Sequence, residues 1–219
     1  FKNNDYEKRF YSLDKTMSRA DYKKNYWIPT LKNKIAYCER HLQENDKKDA
    51  VQENLELVRN EISDELKSQS SRVVDFNRLE WLSYRKINPQ TFQKLEDYMN
   101  LLKQYYIKLY NKANRKKDEK ISKLQSEWPE GKLLELKRNH YNEKLADFVK
   151  NSDEINRIIE YRGELVQKID PIFNDPEYKM IKAHFYSPRK QLFGVYYPTF
   201  WVNLVVIWLM SIILYFILY

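Results

Sequence analysis

The sequence predicts an all-α protein: long helical hairpins forming a coiled-coil-like bundle, followed by one C-terminal transmembrane helix. Three observations predict it. Apolar residues recur at alternating spacings of 3 and 4 through most of the chain, the period of a helix face. Only three glycines, Gly131, Gly163 and Gly194, occur in 219 residues, which disfavours all-β folds that use glycine at their turns. The chain closes on "PTFWVNLVVIWLMSIILYFILY", and no Asp, Glu, Lys or Arg occurs between Gln191 and Tyr219.

Taken in order, Tyr6, Phe10, Leu13, Met17 and Ala20 repeat at 4, 3, 4 and 3 and predict a first helix. Pro29 suits the first turn of a second helix reaching about Asn45. In it Ile28, Leu31, Ile35, Cys38 and Leu42 form an apolar seam. Val51, Leu55, Val58, Ile62 and Leu66 mark a third. The fourth is the most regular: Phe92, Leu95, Met99, Leu102, Tyr106, Leu109 and Ala113 keep an a/d repeat over three heptads, which predicts packing against another helix. The stripe weakens between Asn114 and Lys120, where the tip of a hairpin or a solvated stretch is expected. Two further helices are predicted, Pro129–Val149 and Ser152–Lys168, the latter with Ser152 as N-cap and Asp153 and Glu154 at the positive end of its dipole. Segment 70–88 has no clear period and is assigned a short helix, and the prolines of "IDPIFNDPEYK" make 169–179 a connector.

Residues 1–181 thus read as a helical domain, 182–197 as an amphipathic interfacial connector, and 198–219 as a transmembrane helix. Twenty-two helical residues rise about 33 Å, against a hydrocarbon core of about 30 Å. Tyr196, Tyr197, Phe200 and Trp201 gather at one end of the span, and Tyr215, Phe216 and Tyr219 at the other, as in an interfacial belt. In the connector Phe185, Tyr186, Phe193, Tyr196 and Tyr197 intermingle with Lys182, Arg189 and Lys190. This mixture suits headgroup depth, and the five aromatics, Arg189, Lys190 and Trp201 are the candidate membrane-interface residues. Within the span Asn203 is polar, fitting interhelical packing or a transport path.

Catalytic chemistry finds little purchase. With no two glycines within one loop, a phosphate-cradling loop is excluded, so no nucleotide cofactor is expected in this segment. The lone Cys38 can form no internal disulfide and reads as a packed thiol. His41, His140 and His184 make no His-x-x-x-His pair, and Glu44 near His41 is not enough for a metal site. No Gly-x-Ser-x-Gly elbow occurs. We therefore expect no enzyme, no metal and no cofactor-binding residue. The formal net charge is +8, but lysines alternate with acids and the run "KANRKKDEK" lacks stacking aromatics, so no nucleic-acid partner is expected.

The opening "FKNNDYEKRF" has no initiator Met and no export signal, and reads as an internal start. The span then belongs either to a tail-anchored protein or to the end of a longer membrane protein. The stretches "NEKLADFVKNSDEINRIIEYRGELVQKIDPIF", "KAHFYSPRKQLFG" and "TFWVNLVVIWLMSIILYFILY" together resemble the C-terminal region of ABC transporters of Bacteroidetes, whose membrane part is of the G-subfamily exporter type. The likeness covers about the last 80 residues. It implies a non-catalytic transport component in a bacterial inner membrane, with the helical domain periplasmic. ATP would enter only through an upstream domain. The implied partners are the lipid bilayer, other transmembrane helices of the same transporter or a homodimer mate, and periplasmic proteins. Arg189 and Lys190 beside the span favour a cytoplasmic N-terminal side instead. Only one flank is visible, so the resemblance takes precedence. The alternative function is a tail-anchored helical scaffold that binds another protein through its coiled-coil seams.

Overall fold

The computed structural model describes residues 4–67, 74–174, 189–192 and 195–218. It is mostly helical and ends in an apolar helix, as the sequence predicts. The chain divides into two compact units at Asp170 and Pro171. The expected boundary at 181–182 lies outside the described residues.

In the first unit, α1 (Glu7–Tyr22) starts under a cap from Asn4, whose Oδ1 accepts from the backbone N–H of Tyr6 at 2.9 Å and of Glu7 at 3.1 Å. That side chain satisfies donors a helix start leaves without intrahelical partners. The chain then passes through a π-helical turn, Lys23–Trp27, into α2 (Ile28–His41) without a break. The sequence predicts a separate second helix at Pro29; instead one rod continues through it. A proline ring clashes with the carbonyl four residues back in a regular α-helix, and the wider turn just before Pro29 accommodates it.

Helix α3 (Lys48–Leu66) folds back along α2, and α4 (Pro89–Glu127) closes the bundle. Asn88 caps α4 by accepting from Thr91 N at 2.9 Å, with Pro89 in the first turn. At 39 residues α4 is about 58 Å long. Lys32 meets Asn100, Lys24 lies over the Tyr110 ring and Lys117 pairs with Asp14, so the α1–α2 rod runs antiparallel to α4. The a/d seam is consumed here: Leu95, Met99, Leu102 and Tyr106 are buried in one core with Trp27, Leu31, Leu55 and Ile62. Each such side chain contributes about 1.5–3 kcal/mol on burial.

Of the two expectations for 114–120 the hairpin tip does not form and the solvated stretch does: α4 runs on, with Arg115, Lys116, Asp118, Glu119 and Lys120 exposed. Ala113 is buried, Lys117 Nζ lies 2.6 Å from Asp14 Oδ1, and Lys120 donates to the Arg9 carbonyl, so α1 supports α4 where its apolar stripe fades. Between α3 and α4, residues 74–88 form a single 3-10 turn, Leu79–Trp81, instead of the short helix assigned to them, and lend Phe76, Leu82 and Ile87 to the core.

Beyond α4 the single helix expected over Pro129–Val149 is two, α5 (Lys132–His140) and α6 (Glu143–Lys150). Asn142 interrupts it: its Oδ1 accepts from Leu145 N at 3.0 Å and starts a new helix. The helix predicted over Ser152–Lys168 is overturned as well. Ile158–Tyr161 (β1) and Glu164–Gln167 (β2) pair antiparallel, with Ile158 opposite Gln167 and Tyr161 opposite Glu164. Arg162 and Gly163 have φ of 54° and 74°, the two positive values a two-residue type I′ hairpin requires. "EYRGEL" is therefore turn chemistry inside a run whose apolar spacing imitates a helix. Ser152 lies in a turn and caps nothing.

In the second unit, Arg189–Leu192 (β3) and Val195–Pro198 (β4) pair antiparallel and lead directly into α7 (Thr199–Leu218).

Candidate membrane anchor

Helix α7 has 20 residues and is long and apolar enough to cross a membrane. Its length of about 30 Å matches the hydrocarbon core. Leu, Ile, Val, Met, Phe and Trp lie on every side, and of the described residues in α7 only Val202 is buried. A water-facing helix with this surface would carry a large cost, about 25 cal/mol for each Å² of apolar area left wet. Such a surface suits lipid.

Two polar side chains of α7 have partners close by. Ser211 Oγ donates to the Ile207 carbonyl at 2.9 Å, one turn back on its own helix. Asn203 Oδ1 accepts from Lys190 Nζ at 2.6 Å. Asn203 is thus the anchor point of a cation carried by the hairpin. Aromatics mark both ends: Phe200 and Trp201 meet edge-on at 5.5 Å, Tyr215 and Phe216 at 5.7 Å.

Of the candidate interface residues, Lys190, Tyr197 and Trp201 are placed with their side chains. Lys190 stands opposite Tyr197 in the β3–β4 ladder, so cation and phenol share one hairpin face. Tyr197 and Trp201 are exposed. Arg189 and Tyr196 are placed by their backbone alone, in the first and second strands. Phe185, Tyr186 and Phe193 lie outside the described residues. The connector expected over 182–197 is therefore, in its described part, a β-hairpin ending at Pro198.

The rest of the molecule offers different chemistry. Cys38 is buried in the α2 seam, its Sγ 3.6 Å from the Val51 carbonyl, and burial pushes its thiol up to about 11. His41 Nδ1 lies 2.8 Å from Glu44, and Lys47 holds the same carboxylate at 2.7 Å. Among the described residues no group of three His, Cys, Asp or Glu side chains lies close enough to hold a metal ion.

One constellation has no signature in the sequence. Lys23, in the π-helical turn, pairs with Glu65 of α3 at 2.8 Å, and the Glu65 side chain is 1 % exposed. Tyr106 of α4 donates to the other oxygen of Glu65 at 2.5 Å. Glu61 and Glu65 sit one turn apart beside the apolar stripe of α3, and their spacing reads like an ordinary solvated face.

No protein-family model, curated protein or solved structure matches the chain.

Proposed function

We propose that this chain is a membrane-anchored helical module of a transport protein: the extracytoplasmic helical domain and last span of an ABC exporter-like polypeptide of a bacterial inner membrane, non-catalytic in itself. The observation that carries the anchor is α7, 20 residues of uninterrupted apolar helix exposed on nearly all sides. The transporter assignment rests on the C-terminal resemblance, which assigns ATP to a separate nucleotide-binding domain of the same polypeptide and puts α1–α6 on the periplasmic side. In this reading the β3–β4 hairpin holds Lys190 and Tyr197 at headgroup depth, and α7 packs against other transmembrane helices of the transporter or of a homodimer mate.

Alkaline carbonate extraction tests the anchor. The whole chain is expected in the membrane pellet, and a chain truncated before Thr199 in the supernatant; release of the whole chain overturns the span. The reading frame around the segment tests the transporter assignment separately. A frame that opens near Phe1 with no ATPase motifs before it removes the exporter and leaves the anchor standing.

A second reading, the anchored scaffold, is favoured by one observation. Leu134, Leu145, Phe148 and Ile155 are exposed around α5 and α6, Phe148 by 82 % and Ile155 by 91 %. The α4 seam no longer serves this reading, since the bundle itself covers it.

A further inference from the structure

Two carboxylates of α3, one helical turn apart, hold four elements together. Glu65 takes Lys23 Nζ on one oxygen at 2.8 Å and the Tyr106 hydroxyl on the other at 2.5 Å. Glu61 takes the Trp27 indole N–H on one oxygen at 2.5 Å and the backbone N–H of Leu165 on the other at 2.6 Å. The donors at the two ends of the π-helical turn, Lys23 and Trp27, thus reach successive turns of α3. The same pair of carboxylates reaches α4 through Tyr106 and the β1–β2 hairpin through Leu165. Lys23 Nζ also sits 3.5 Å over the Trp27 ring, so the ammonium presses on the indole that Glu61 accepts from.

We infer that Lys23 and Glu61, together with buried Glu65, form a coupling clamp: the state of the π-helical turn decides whether the β1–β2 hairpin stays docked on the helical bundle. Three features argue for coupling over independent contacts. Lys23 is the cation that faces both carboxylates, attracting Glu65 most strongly and Glu61 in addition. Its loss leaves Glu65 buried without its counter-charge and takes the ammonium off the Trp27 ring, whose indole N–H holds the Glu61 carboxylate to which Leu165 donates. π-Helical turns insert an extra residue into an α-helix and are found frequently at functional sites. The hairpin strands themselves bury no residue fully: besides Glu61 they are held by the ion pair of Glu160 with Lys34 at 2.6 Å and by half-buried Ile158 and Leu165, while the chain on either side is pinned by Arg157 over the Tyr26 ring, by buried Ile169 and by the Ser18–Asp170 bond. An element with so few buried contacts opens locally before the core does.

Hydrogen exchange of the full chain in lipid nanodiscs tests the clamp. In Lys23→Met, amides of residues 164–167, whose side chains Lys23 does not touch, are expected to exchange at least tenfold faster, while those of residues 98–106 in α4 stay protected. Tyr106→Phe, which removes one donor to Glu65 and is gentle on the fold, is expected to give the same pattern at smaller amplitude. Lys34→Ala serves as the comparison, loosening the hairpin without altering exchange in the π-helical turn at 23–27. Faster exchange confined to 23–27 in Lys23→Met overturns the proposal. So does a uniform rise across the whole bundle, which marks Lys23 as a structural residue only. If Lys23→Met fails to fold, an unchanged 164–167 segment in Tyr106→Phe overturns it equally.

Discussion

Lys190 Nζ donates to Oδ1 of Asn203 at 2.6 Å, tying the β3 strand to the second turn of α7. If the hairpin lies at headgroup depth, as proposed, this pairing satisfies a cation and an amide at the entrance of an apolar helix, where an unpaired amide would cost about 1–3 kcal/mol. Trypsin should therefore cleave slowly after Lys190 in proteoliposomes and quickly in detergent. Asn203→Leu releases the lysine and should speed cleavage in the lipid state. Equal rates in both media would place the hairpin away from the headgroups.

The middle of α7 should reject charge. Leu209→Arg places a guanidinium near the bilayer centre, where insertion scales charge about 2.5–3.5 kcal/mol. The variant should shift from membrane pellet to supernatant in carbonate extraction, whereas Leu209→Ala should stay in the pellet. Full retention of the arginine variant would mean that α7 lies along the surface or in a protein-lined groove.

The α4 seam should behave as core. Leu102 is fully buried between α4 and the α1–α2 rod, so Leu102→Ala should destabilise the bundle by about 2–5 kcal/mol. A urea titration followed by helical circular dichroism reads this directly. An unchanged midpoint would return the seam to a partner-facing role and favour the scaffold.

Glu7 sets a pH dependence whose sign follows from its burial. The side chain is buried at the start of α1, and burial raises its carboxyl above the usual range, outweighing the attraction of Lys150 and Lys117. The folded state then binds the proton more tightly than the unfolded state does. This contribution to stability is complete below the unfolded carboxyl's range and is lost as pH rises through the raised value. Glu7→Gln should be more stable than the native chain at neutral pH, and the difference should vanish in acid. Equal melting temperatures at neutral pH would contradict this.

Orientation decides where the helical domain works. Asp46 lies exposed in the loop between α2 and α3, so Asp46→Cys offers an accessible thiol, while native Cys38 stays silent through burial. In our proposal an impermeant maleimide labels the new thiol in intact spheroplasts. Labelling only after lysis puts the domain in the cytoplasm, as the Arg189–Lys190 flank favours.

What the sequence by itself determined is what periodicity and composition encode. The seams of α2, α3 and α4 and the apolar run of α7 each repeat a local pattern, and in the three bundle helices burial follows it; in α1 only Phe10 and Ala20 of the predicted seam are buried, beside Tyr11, Ser18 and Tyr22 off it. What only the tertiary structure decided depends on residues distant in sequence. Asp14 and Arg9 of α1 let α4 continue past residue 114. Asn142 and Gly163 break two helical periods through single side-chain and backbone conformations, which a spacing count does not weigh against apolar residues at 3 and 4. The Lys190–Asn203 bond needed β3 and α7 brought together, and the Lys23–Glu65 pair needed α2 and α3 antiparallel at one register. A charged residue looks solvated in a linear pattern. It becomes a buried partner only when the fold supplies the opposite charge from elsewhere in the chain.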